Sequence, residues 1–304
     1  MPITDFQLEQ RKKHIGSSDT AAILGLNPWR TAYDVWLEKS GQLADGKGFS
    51  GNEATDIGKM IEDGLLDWAA AQTGLKILKN QYRVHAGGIL SATHDALAVD
   101  KAVGYEAKTA GIVRGFAVKD LWGEEGSDQI PEYIIIQCQH QMAVSDLELV
   151  HVPALIGGRG RVPYVIRRND ELIRYILEKC QEFWEVNVKG NQAPEGLPNL
   201  DIAKIRIRTP GKTISLADAT VVSNWRKAKD AEKQAKDAAE EAERVLYAAI
   251  GDAEIAESDA GNVTIKEVKT SRIDSKLLKE KHPEIATEVT KESTYKRIYF
   301  KEAK

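Results

Sequence analysis

Between Leu90 and Thr109 two short strand-forming runs flank a turn segment, Asp100 to Gly104, and no other feature limits the fold of this chain as tightly. Side chains alternate across a strand, so Glu106 and Lys108 share one face of the second run, Gly104 to Thr109, while Ala107 takes the other. Asp95, in the first run from Leu90 to Val99, then stands beside them from the neighbouring strand. Two carboxylates and an ammonium meeting on one sheet face suit a hard divalent cation and a group that positions or deprotonates water. That is equipment for hydrolysing a phosphodiester. The same residues also fit an exposed hairpin whose Glu and Lys pair across one face, so the rest of the chain has to decide between the two.

With 304 residues, 42% of them hydrophobic, the chain is long enough for one large domain or a domain plus a substantial extension. It contains no apolar run of membrane-spanning length, and its start, Met1 to Gln7, lacks the charged-then-apolar layout of a secretory signal. The expected location is the cytoplasm, with no membrane partner. Cys138 and Cys180 are the only cysteines, too few for a disulfide framework, a four-thiolate zinc site or an iron–sulfur cluster. A net charge of −4 excludes a surface coated in positive charge for non-specific nucleic-acid binding, though a basic channel within an acidic body remains compatible with it. Basic residues outnumber acidic ones in the tail from Thr264 to Lys304, so acid and base are segregated along the chain.

The pattern along the chain predicts alternating helices and strands. Ser17, Ser18 and Asp19 open a short helix that Gly25 stops, and Thr31 caps a second one ending near Gly41. Lys47 to Asn52 is a glycine-rich loop. Asp56 to Thr73 forms a helix with Ile57, Met60, Ile61, Leu65 and Trp68 on one stripe. Glu62 lies about 100° round from Ile61, at the border of that stripe, where a carboxylate is either solvated or turned into a site. Pro131 opens a helix from Glu132 to Val144 on which Gln137 and Gln141 share a face, with His140 close by; half-exposed amides and a functional pair read equally well there. Leu147 to Ile156 and Val162 to Arg168 form a hairpin, and Asp170 caps a long helix through Trp184. Ala193 to Asn199 marks a domain boundary, dividing a core of residues 1–195 from an extension of residues 196–304. In that extension Leu216 to Ile250 is an alanine-rich helix of balanced charge, followed by a strand from Val263 to Val268 that Tyr295 to Phe300 could pair with.

Five ordered blocks resemble the YqaJ-type viral recombinase family, relatives of phage lambda exonuclease among the restriction-endonuclease-like PD-(D/E)xK nucleases. They are Arg11 with Ile15 to Trp29, Gly58 to Glu62, Ser91 to Asp95, Tyr105 to Thr109, and Pro131 to Met142. The resemblance covers roughly Arg11 to Lys189. It implies an α/β (α+β) fold in which a central mixed sheet is flanked by helices, followed by a C-terminal helical and hairpin extension of unknown role. His94 and Ala96 depart from the family pattern, in which proline precedes and glycine follows the aspartate.

The resemblance also implies roles. Asp95 and Glu106 become metal ligands, with the backbone carbonyl of Ala107 and with Glu62 completing the oxygen set. Lys108 orients or deprotonates water, Gln137 bonds near Lys108 or the scissile phosphate, and Gln141 and His140 are supporting residues. The expected ion is Mg²⁺, with Mn²⁺ able to replace it and two ions per site. Arg11, Ser17 and Ser18 bind a terminal 5′-phosphate. The implied activity is 5′ to 3′ degradation of double-stranded DNA from its ends, leaving a 3′ single strand for an annealing protein, by a homo-oligomer that in relatives is a trimeric ring. The rivals are a structure-selective or sequence-specific endonuclease of the same fold, a non-catalytic DNA-end-binding module, and a small-molecule enzyme with a buried carboxylate pair.

Overall fold

The computed structural model describes residues 5–43, 53–112, 121–206, 208–267, 269 and 275–290. Two expectations, the loop at Lys47 to Asn52 and a strand at Tyr295 to Phe300, lie outside the described residues. The chain forms two compact units, Met1–Arg208 and Thr209–Lys304. The first therefore continues beyond the Pro- and Gly-containing segment at Ala193 to Asn199. Tertiary contacts explain why: the amide of Asn199 donates to Asp34 Oδ1 at 2.8 Å, and Ile202 packs against the first core cluster.

The first unit begins with helix α1 (Asp5–Lys13), the short strand β1 (Ile15–Gly16), helix α2 (Ser17–Ile23) and helix α3 (Ala32–Lys39). Helix α4 (Glu53–Thr73) leads into strands β2 (Ile77–Val84), β3 (Leu90–Ala98), β4 (Val103–Tyr105) and β5 (Lys108–Ala110). Helix α5 (Glu132–Ser145), strands β6 (Leu149–Ile156) and β7 (Gly160–Arg167), helix α6 (Asp170–Glu182) with a π-helical continuation through Lys189, and helix α7 (Leu200–Ile205) complete it. The strands make one seven-stranded mixed sheet, flanked by helices. Leu66 and Ala69 of α4 pack on Ala96, Val103 and Tyr105. Met142, Cys138 and Ile134 of α5 pack on Val150, Val152 and Ala154, and residues of α2, α3 and α6 extend that helical layer.

Two interruptions in this sheet create the space for a site. Strand β2 pairs with β3 along most of its length, but the opposite edge of β3 is shared. Its first residues pair in parallel with β1 at Ile15↔Leu90, and its last pair antiparallel with β4 at Ala96↔Tyr105. Asp95 sits where that edge passes from one neighbour to the other. The strand expected at Gly104 to Thr109 is likewise split into β4 and β5, which pair in parallel with the two ends of β6. The break at Glu106 and Ala107 falls opposite Pro153 and its neighbour Val152, and proline brings no amide hydrogen to the ladder at that level. The amide of Ala107 donates instead to Asp95 Oδ2 at 2.8 Å, tying the two interruptions together. Close packing holds β4 in place: a Cβ at Gly104 would lie 2.9 Å from Leu147 Cδ1 and 3.3 Å from Val150 Cγ2.

His140 belongs to the core. Its side chain is fully buried, 3.0 Å from the Ser91 carbonyl through Nε2 and 2.7 Å from Thr20 Oγ1 through Nδ1. A carbonyl only accepts, so Nε2 carries the hydrogen and Nδ1 accepts from the threonine, which leaves the ring neutral. Burial is the main cause of a His140 pKa lowered to about 4; the Ser91 carbonyl and Asp19 work the other way, and His94 and His85 add to the lowering. Because this value lies below the roughly 6.5 of an unfolded histidine, the stabilising difference is fully present above pH 6.5 and is lost as pH falls toward 4. Going from pH 7.5 to pH 5 should therefore cost about 2 kcal/mol through this ring alone. Urea unfolding at both values, compared with His140→Gln, should show a shallower pH dependence in the variant. Parallel profiles would contradict this account.

The second unit consists of helix α8 (Thr220–Ile250), a two-stranded hairpin of β8 (Ile255–Ser258) and β9 (Gly261–Thr264), and helices α9 (Ser275–Lys281) and α10 (Pro283–Val289). It is helical with a hairpin, as the sequence predicts. The strand after the turn ends at Thr264 and pairs with the segment before it. Gly251, at φ +64°, turns the chain out of α8.

Candidate active site

Glu106 is the centre of a hydrogen-bonded polar cluster in the first unit, and it is almost wholly buried. Its Oε1 accepts from Lys108 Nζ at 2.5 Å and from Gln137 Nε2 at 2.6 Å, and its Oε2 accepts from Gln141 Nε2 at 2.6 Å. Lys108 also donates to Gln137 Oε1 at 3.1 Å. The helix period explains the division of labour on α5. Gln137 and Gln141, one turn apart, both reach Glu106, whereas Gln139, two residues from each, turns away. Gln139 instead donates to the Arg167 carbonyl at 2.7 Å and accepts from the Asn169 amide at 2.9 Å, closing the end of β7.

One buried atom in this cluster has no partner among the described residues. Gln141 is fully buried, and while its amide nitrogen serves Glu106, its Oε1 receives no hydrogen bond. An unsatisfied buried carbonyl of this kind costs roughly 1–3 kcal/mol. It is tolerated here beside a carboxylate whose orientation the same side chain fixes.

The electrostatics describe a site with more negative charge than it balances. Burial raises the pKa of Asp95 well above the usual carboxylate range, and the charges of Glu106 and Glu62 push the same way against the pull of Lys108. Glu62, half-buried on α4, is raised first by desolvation, with Glu106 and Asp63 adding to it. Lys108 is raised although burial works to lower it, because Glu106 and Asp95 overcome the desolvation. Asp95, Glu106, Lys108, Gln137, Gln141 and Glu62 are thus brought into one electrostatic neighbourhood. Among the described residues no three carboxylate, imidazole or thiol groups form a ready-made metal cage. The donor set still fits magnesium, which commonly takes one or two carboxylates and fills its remaining positions with water and substrate oxygens. Cys138 is near enough to feel the charges of Glu106, Lys108 and Asp95, but burial holds it as a protonated thiol, so the oxygen ligands beside it suit a hard ion.

His140, in the core between Thr20 and Ser91, is not part of this cluster. The residues expected to bind a phosphate gather elsewhere, around Asp19. Arg11 is exposed at the end of α1, Ser17 is buried and Ser18 is exposed at the start of α2. Asp19 already serves as the anion there: its carboxylate accepts from the Gly16 amide at 3.0 Å and pairs with Lys39 at 2.7 Å and with Arg30. Lys39 also donates to the Arg11 carbonyl at 2.6 Å. Burial works to raise the Asp19 carboxyl, but the charges of Lys39, Arg30 and then Arg11 outweigh it and hold the group well below its ordinary range.

Comparison with known proteins places the chain. The description "YqaJ-like viral recombinase domain" matches residues 7–148. The uncharacterized protein YqaJ of Bacillus subtilis (strain 168) is 31% identical over 310 residues, spanning 98% of this chain and 94% of that relative. The chain belongs to the YqaJ family. All six residues of the Glu106 neighbourhood fall inside the YqaJ-like span. Among solved structures, the alkaline exonuclease LHK-Exo from Laribacter hongkongensis overlays with a TM-score of 0.47 at 16% identity, covering 62% of this chain and 94% of that one. A phage-related exonuclease from Haemophilus somnus 129PT gives 0.41 at 16% identity, covering 59% and 96%.

Proposed function

We propose that this YqaJ-family protein is a magnesium-dependent exonuclease that degrades double-stranded DNA from its ends, 5′ to 3′, leaving a 3′ single strand for recombination. The observation that carries the reading is the buried Glu106 carboxylate, fixed by three donors beside Asp95 and Lys108 at the break between two strands. Asp95, Glu106 and the carbonyl of Ala107 would hold Mg²⁺ or Mn²⁺, with Glu62 from α4; a bound divalent ion polarises a phosphate and acidifies water. Lys108 orients the attacking water and offsets negative charge developing at phosphorus. Gln137 and Gln141 keep Glu106 in one orientation. Of the expected phosphate binders Ser17 is buried, and the exposed Arg11 and Ser18 would receive the terminal 5′-phosphate, Arg11 as a charge-assisted ligand, next to an Asp19 carboxylate whose charge Lys39 and Arg30 already balance. A single-strand annealing protein and further copies of the chain are its expected partners. No helix among the described residues is long and apolar enough to cross a membrane.

The direct test is incubation with 5′-phosphorylated linear duplex, 5′-hydroxyl linear duplex, closed circular duplex and single strand, with and without Mg²⁺. Linear duplex should be degraded only with the ion, faster with the 5′-phosphate, and leave 3′ overhangs, while the circle stays intact. Cutting of the closed circle would favour an endonuclease of the same fold, and DNA that is bound but never cut would favour an end-binding module.

A further inference from the structure

Trp29 presents an indole that the folded chain leaves 60% exposed, yet its mounting is rigid. Asn27 Oδ1 accepts from the Trp29 amide at 2.9 Å and from the Arg30 amide at 3.1 Å, which locks the turn beneath it. The next residue is anchored in turn, since the Arg30 guanidinium pairs with Asp19 and, at 2.5 Å, with Glu38. The indole packs edge-on against Tyr133, with ring centroids 5.1 Å apart and an interplanar angle of 81°. Tyr133 thus supports the indole on one side while more than half of its surface stays in solvent. The part of this apolar group that is held in water does not stabilise the fold; a binding face gains by it, because the ordering cost is met in advance.

Its location supplies the ligand. Tyr133 lies one turn before Gln137 on α5, about 6 Å along the helix axis, and Gln137 contacts both Glu106 and Lys108. The Lys108 charge is also felt at the Tyr133 hydroxyl, whose pKa burial raises and that charge draws back. Successive nucleotides of a stacked strand are about 3.4 Å apart, so the indole stands within a few nucleotides of a phosphate held at the cluster. Every nucleobase has a π-face, and stacking on an aromatic side chain accepts all of them. An enzyme that shortens DNA one end at a time has to take each base in turn, and a hydrogen-bonding pocket would discriminate among them.

We propose that Trp29 is a stacking platform for a nucleobase of the DNA end engaged at Glu106 and Lys108. The inference rests on the nuclease reading and adds a base-binding position to it. Tyr133 is a positioning residue that holds the indole edge.

The experiment uses the full chain carrying Lys108→Met, so that bound DNA persists, and a 5′-phosphorylated duplex with 2-aminopurine at the first nucleotide or, as control, at the tenth. Binding should quench the terminal probe and leave the internal one bright. Adding Trp29→Ala should abolish the quench and weaken binding about 10-fold, equivalent to about 1.4 kcal/mol. Trp29→Phe should retain much of both, and because the indole is exposed, thermal melting should not distinguish the variants. In the otherwise wild-type enzyme, Trp29→Ala should raise KM for duplex about 10-fold with little change in kcat. The proposal is overturned if the parent shows no terminal quench, if Trp29→Ala keeps it, or if Trp29→Leu serves as well as phenylalanine. It is equally overturned if Trp29→Ala lowers the sedimenting mass, which would assign the indole to contact with a second copy. Fluorescence reads DNA binding without cleavage, so a wild-type protein that fails to cut linear duplex would refute the nuclease reading separately.

Discussion

Alanine in place of Glu106 is expected to slow degradation of linear duplex about 1,000-fold or more, with the fold retained. The carboxylate is the acceptor shared by Lys108, Gln137 and Gln141, and with Asp95 it is one of the two carboxylates proposed to hold the ion at the strand break. Its loss removes both a site for the metal and the group that aligns three side chains, and a metal's stabilisation of transition-state charge is worth several kcal/mol. Stability should change far less. Three hydrogen bonds to a charged acceptor disappear, but so does the carboxylate whose charge raises the proton affinity of Asp95 and Glu62. Lys108 and Gln137 retain their bond to each other. Initial rates with Mg²⁺ and a thermal melt of the same preparation test the claim. Cleavage near the wild-type rate would remove Glu106 from the chemistry, and a variant that cannot fold would give it a structural role instead.

The meeting of Glu106 with Lys108 could be read from strand alternation alone, and that of Gln137 with Gln141 from the helix period, because both depend only on local geometry. The β4–β5 break was not legible. It depends on Pro153, a residue of a later strand, and on an Ala107 amide that turns to Asp95 instead of the ladder. The fate of α2 also depended on distance in sequence. Ser17, Ser18 and Asp19 look like the opening of an anion-binding helix, but Lys39 and Arg30 come back to make Asp19 the anion. His140 illustrates the same limit: adjacent to Gln141 in sequence, it points to Thr20 and Ser91, whose positions only the tertiary fold defines. Trp29 left a faint signal, an aromatic in an Asn-Pro turn within a block that resembles the family, but its exposure depends on how little of it Tyr133 covers, which only the tertiary fold defines. The boundary at Ala193 to Asn199 was drawn from composition. The Asn199 amide bond to Asp34 and the packing of Ile202 on the first core are contacts that composition does not encode.

Methionine in place of Lys108 should separate the binding of the ion from cleavage. The ammonium lies 2.5 Å from Glu106 Oε1, on the oxygen where a cation is proposed to bind, so a divalent ion and Lys108 compete for the same negative charge. Methionine fills a similar length without charge, leaving Glu106 with its two glutamine donors and an oxygen open to a cation. Affinity for Mn²⁺, followed by titration calorimetry on the DNA-free protein, is therefore expected to equal or exceed that of the wild type. Turnover should fall about 100- to 1,000-fold, the range found when one preorganised donor is removed from a developing anion. The two readouts moving in opposite directions distinguish a cation that acts on water and phosphate from one that merely neutralises a buried carboxylate. In the second case, metal replaces Lys108 without loss and the variant cuts at nearly the normal rate. A fall in Mn²⁺ affinity would show that Lys108 holds the ligand geometry together, and its place would then be in assembling the site.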